Sequence, residues 1–125
     1  MASVLVIDDD PEIRDLCRTI LATEGHQVLE APDAPSGVAM AREHLPDLVL
    51  LDWMLPGVDG IEALRILKSS ANTRQIPVLM LTALDGIADI ALATHSGADG
   101  YITKPFEPSA LVAVVRRYSE TRPTG

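Results

Sequence analysis

Five short apolar runs recur along this chain, and each is followed by a stretch whose apolar residues recur every three or four positions. The runs are residues 3–8 (SVLVID), 26–31 (HQVLEA), 46–52 (PDLVLLD), 76–82 (IPVLMLT) and 100–103 (GYIT). A strand with one wet face alternates apolar and polar residues, so runs without alternation predict strands covered on both faces. The cover has to come from the segments between them, which read as helices. Asp10 can cap the first, with Pro11 at its opening position and Glu24-Gly25 at its end. Its apolar stripe is Ile13, Leu16, Cys17 and Ile20. Asp33 opens a second helix through Val38, Ala41 and Leu45, and Asp59-Gly60 a third through Ile61, Leu64 and Leu67. Asp85 precedes a fourth that closes at Gly97, with Ile87, Ala91 and Thr94 as its expected inward stripe. Pro108 opens a fifth, with Leu111, Val114, Val115 and Tyr118 on one side and Arg116 and Arg117 in its last turn, favourable to the helix dipole.

Five βα units in series predict a parallel sheet with helices on both faces. The second run is the most polar and suits an edge; the first, third and fourth are the most apolar and suit the interior. This favours a doubly wound, flavodoxin-like (βα)5 fold in strand order 2-1-3-4-5. A length of 125 residues fits one domain, expected over 1–119, with 120–125 as a flexible tail. Hydrophobic residues at 47% are enough for a core. A net charge of −8 argues against direct nucleic-acid binding. One cysteine excludes an internal disulfide and a Cys-based zinc site. The first apolar run is too short, and too acidic behind it, for a signal peptide or a membrane span, so a cytoplasmic setting is expected.

In such sheets ligands bind beyond the carboxyl ends of the strands. The first run ends at Asp8-Asp9-Asp10, the third at Asp52, the fourth at Thr82 and the fifth near Lys104. Crowded carboxylates repel and raise one another's pKa, and a hard divalent cation such as Mg²⁺ relieves that. Carboxylates, a hydroxyl and an ammonium on one rim form the inventory for phosphoryl transfer onto a carboxylate. Taken singly, a helix cap at Asp10, an acidic strand end or a loop lysine would mean little; their arrival at adjacent strand ends is what points to a site.

The stretches VLVIDDDPEIR (4–14), PDLVLLDWMLPGVDG (46–60), VLMLTA (78–83) and GADGYITKPFEP (97–108) resemble, in order and spacing, the receiver domain of bacterial two-component response regulators. The resemblance covers about the whole chain. It implies that Asp52 accepts a phosphoryl group from the phosphohistidine of a histidine kinase or histidine phosphotransfer protein. It further implies Mg²⁺, with Mn²⁺ able to substitute, bound by Asp9, Asp52 and the Met54 backbone carbonyl, and by Asp8 through water. Thr82 would hydrogen-bond the phosphoryl group, Lys104 would pair with one of its oxygens, and Tyr101 would be the switch aromatic. Lys104-Pro105 resembles the family's cis peptide. Met54 and Leu84 stand at the positions that flank attacking water, and small Ala83 leaves the group accessible. The implied output face is the fourth helix, fifth strand and fifth helix, including Ile90, Leu92 and Tyr101, for a downstream protein or a second copy.

A signalling phospho-acceptor is therefore expected rather than a turnover enzyme. A dehalogenase-like phosphatase would also use Asp8-x-Asp10, but it needs a cap and leaves Asp52 and Tyr101 idle. An FMN carrier needs a first loop rich in hydroxyls and amides, where this one has three aspartates. Cys17 reads as a buried thiol, His26, His44 and His95 as solvated side chains, and residues 56–60 as a turn. Trp53, beside the acceptor, is expected to pack against its loop.

Overall fold

The computed structural model describes residues 2–84 and 86–121. Its elements are β1 (Ser3–Ile7), α1 (Pro11–Thr23), β2 (Gln27–Ala31), α2 (Ala34–His44), β3 (Leu48–Asp52), α3 (Gly60–Ser69), β4 (Val78–Thr82), α4 (Ile87–His95), β5 (Gly100–Thr103) and α5 (Pro108–Thr121). All pairings are parallel and the order is β2-β1-β3-β4-β5, as the runs predict. The register places Ile7 beside Leu51 and Asp52 beside Leu81, so the strands end level at one rim.

Because successive side chains point to opposite faces, the sheet divides its aliphatics between two cores. Val4, Val6, Leu48, Leu50, Leu79 and Leu81 pack with Cys17 and Leu21 of α1 and with Leu111 and Val115 of α5. Leu5, Ile7, Val49, Leu51, Val78 and Met80 pack with α2, α3 and Ala93 of α4. Carboxylates start three helices: Asp10, Asp33 and Asp59 accept backbone N–H groups of Glu12, Ser36 and Ile61.

Three helix faces differ from the sequence pattern. On α1, Cys17 and Leu21 are buried and Leu16 is exposed, because the stripe turns with the 3.6-residue period toward Leu21. Helix α2 stops at His44; Leu45 leaves the stripe as an exposed cap with φ +47°. On α4 the expected inward stripe is overturned: Ile87 is 89% exposed, and Ala91 and Thr94 face solvent. The buried residue is Ala93, whose small side chain lets the helix lie close to the core, with Asp89 and Ser96 flanking it on the half-buried side. Gly86 is the N-cap of α4; Asp85, expected to precede it, lies outside the described residues. Helix α5 runs to Thr121, into the segment expected to be a tail, and 122–125 lie outside the described residues. No helix among the described residues is long and apolar enough to cross a membrane.

Candidate functional site

Four of the five strands bring candidate side chains to the carboxyl end of the sheet: β1 brings two, β3, β4 and β5 one each, and β2 none. Asp8 follows the last residue of β1 and is fully buried, whereas Asp9 and Asp10 are exposed. The Asp8 carboxylate accepts the Asp10 N–H at Oδ1 (2.9 Å) and the Lys104 ammonium at Oδ2 (2.7 Å). Asp10 turns away as the α1 cap. Asp52, the last residue of β3, is buried; its Oδ1 accepts the Met54 N–H at 3.3 Å and lies 3.5 Å from Lys104 Nζ.

Thr82 ends β4, buried, and its Oγ1 accepts the Leu84 N–H at 3.2 Å. Lys104 follows β5. Its backbone N–H donates to the Thr82 carbonyl at 2.9 Å, which locks the fifth corner to the fourth, and the Lys104–Pro105 peptide is cis. Asp8, Asp9, Asp52, Thr82 and Lys104 therefore share one rim. Tyr101 stands earlier on β5, half-buried against the α3–α4 side of the core.

The electrostatics follow from this crowding. Burial, and next the charge of Asp8, push the Asp52 carboxyl up to about 6, against the opposing pull of Lys104. Burial works against the Lys104 charge, but its hydrogen bond to Asp8 and the charges of both carboxylates outweigh it, and its pKa stands above the ordinary lysine value. One oxygen from each of Asp8, Asp9 and Asp52 lies within 4.8 Å of the others. Three hard anionic oxygens, one on an exposed residue open to solvent, fit a divalent cation of the Mg²⁺ type. A pocket of about 450 Å³ adjoins them, lined by Asp9, Trp53, Met54 and the turn at 55–57 and 59.

The two apolar positions beside the site differ: Met54 is 67% exposed, while Leu84 is half-buried against the core. Trp53 is buried. Ile90 and Leu92 are 39% and 43% exposed on α4. Cys17 is buried, its thiol pushed up to about 12 by burial and then by the charge of Asp8. The Nδ1 of half-buried His26 accepts the Ala2 N–H, so this histidine serves the fold; His44 and His95 are exposed.

Two contributors escape sequence reasoning. A Cβ on Gly60 would meet the backbone of Asp52 and lie 2.6 Å from Trp53 Cα, so only glycine lets α3 start this close to the end of β3. Its one visible signal is its place directly after the Asp59 cap. The other is Arg14, whose guanidinium donates to the Asp8 carbonyl.

A sequence model described as the response regulator receiver domain matches residues 4–116. The phosphate regulon transcriptional regulatory protein PhoB of Escherichia coli is 47% identical over 120 residues, which is 93% of this chain and 52% of that protein. The DNA-binding response regulator MtrA of Mycolicibacterium smegmatis is 42% identical over 113 residues, 90% of this chain and 48% of that protein. This chain thus spans about half the length of the curated relatives it matches. Among solved structures, chemotaxis protein CheY4 of Vibrio cholerae superposes with a TM-score of 0.90 at 29% identity, covering 94% of this chain and 98% of that one. NtrX of Brucella abortus gives 0.88 at 37% identity, covering 97% of this chain and 28% of that one.

Proposed function

The chain belongs to the response regulator receiver domain family, and from that premise we propose that Asp52 is its phospho-acceptor, in a Mg²⁺-dependent transfer from a phosphohistidine. The observation that carries this reading is the buried Asp52 carboxylate, which shares one rim with Asp8, Asp9 and the Lys104 ammonium. An Asp52 oxygen attacks phosphorus in line; the N–P bond of the donor breaks, and its electron pair leaves with the imidazole, which takes up a proton. Lys104 stands ready to pair with a phosphoryl oxygen, and Thr82 Oγ1 to donate to another. Asp9, Asp52 and the Met54 carbonyl, with Asp8 through water, would hold Mg²⁺ or Mn²⁺, which would supply charge neutralisation for the same oxygens.

The chain is a signalling acceptor that loses its phosphoryl group slowly, not a turnover enzyme. Its donor is a cytoplasmic histidine kinase or histidine phosphotransfer protein. Phosphorylation is read at the α4-β5-α5 face by a downstream protein or a second copy, through Thr82 and Tyr101, without contact between this domain and nucleic acid. Intact mass after acetyl phosphate with Mg²⁺ tests the assignment: the parent gains one phosphoryl group and Asp52→Asn none. Equal labelling of the two chains overturns it.

A further inference from the structure

Asp8 is held at four points. Its N–H donates to the Ala31 carbonyl (3.1 Å), and its two carboxylate oxygens accept from Asp10 N and Lys104 Nζ. The fourth hold comes from outside the site: Arg14 Nη1, in the first turns of α1, donates to the Asp8 backbone carbonyl at 2.7 Å. That carbonyl belongs to the peptide unit joining Asp8 to Asp9. The unit is planar, so pinning its oxygen fixes one plane from which both Asp8 and Asp9 project.

Arg14 is itself fixed. Its Nε lies 3.4 Å from Glu30 Oε1 on β2, with the two side chains only 19% and 26% exposed. The other Glu30 oxygen accepts Arg18 Nη1 at 2.7 Å. One guanidinium therefore spans from β2 to the carbonyl at the turn from β1 into α1. A lysine ammonium on a flexible stem does not reproduce that fork.

We infer that Arg14, anchored by Glu30, is a positioning residue that sets the divalent-cation affinity of the Asp8–Asp9 corner. It acts through the shared peptide plane, leaving the acceptor chemistry of Asp52 intact. The inference rests on the metal reading given above. Partners that orient ligands without touching the metal typically govern affinity by about tenfold or more.

The test titrates Mg²⁺ into the full chain, read by emission of the single tryptophan, Trp53, beside metal-free melting curves and labelling at saturating Mg²⁺. Arg14→Met should weaken Mg²⁺ binding about tenfold, Glu30→Gln about threefold, and Arg14→Lys to a value between that of Arg14→Met and the parent. Labelling at saturating Mg²⁺ should stay within about twofold of the parent. Mg²⁺ affinity in Arg14→Met equal to the parent's overturns the inference alone. A parent with no Mg²⁺ response overturns the metal reading and this one with it. If Arg14→Met fails to fold, Glu30→Gln and Arg14→Lys decide: parental affinity in both overturns the inference.

Discussion

As the proposed acceptor, Asp52 meets two demands that conflict: it has to be ionised to attack phosphorus, yet it is buried beside another carboxylate. Its pKa of about 6 lies above the ordinary 3.8, so in metal-free buffer the folded chain binds this proton more tightly than the unfolded chain does. Stability contributed by the protonated form is present below pH ~4 and lost as pH rises through about 6. Asp52→Asn removes the penalty. It should melt higher than the parent at pH 7.5, by ~1–2 kcal/mol, with the gain fading to none at pH 4. Mg²⁺ should raise the parent's melting temperature at pH 7.5 more than the variant's. Melting curves at the two pH values, with and without the metal, check both statements. At the neighbouring positions Met54 is open to solvent and Leu84 is partly packed into the core. Replacing both with small polar residues should speed loss of phosphate, followed by intact mass over time, with Met54 contributing most. A double variant that loses phosphate no faster than the parent would show that water access does not control the step.

At the scale of elements, strands were easier to read than helix faces. A parallel strand covered on both sides can hardly be anything but aliphatic, so β1, β3 and β4 announce themselves. Helix α4 does not, because its sequence, IADIALATH, holds one acid and is otherwise apolar or small around most of its circumference. Hydrophobic periodicity cannot orient such a helix; the fit of small Ala93 against the core does. Capping aspartates were legible because their chemistry is local. The tie from Arg14 to Asp8 was not, since it depends on where α1 meets β2. The outcome for α4 is that Ile87, Ile90 and Leu92 are each exposed. Ile90→Lys and Leu92→Lys should each change stability by less than about 0.5 kcal/mol and leave Asp52 labelling intact. Both should weaken association of the phosphorylated chain, measured by sedimentation. Unfolding of both would identify them as core residues and remove the interface reading.

Across the whole molecule, the two ends of the sheet use the same residue type differently. At the amino ends of the strands, Asp47 accepts the Ser3 N–H and Asp99 accepts the Val78 N–H, both at 2.8 Å. Asp99 also pairs with Lys68 at 2.7 Å. These carboxylates close backbone ends, while those at the opposite rim stand together near one lysine. Asp99→Ala should therefore cost about 1–2 kcal/mol in thermal unfolding and leave the labelling rate of the folded chain unchanged; a slowed rate would tie the far end of the sheet to the chemistry. The site itself is stitched from both ends of the chain: Lys104 reaches Asp8 across 96 positions of sequence. A nascent chain still missing its last corner has Asp52 but no lysine beside it. On the proposed mechanism, competence to accept a phosphoryl group thus arrives only when synthesis has passed Lys104 and the fifth strand has docked. In a refolding experiment, the onset of Asp52 labelling would time the completion of the fold.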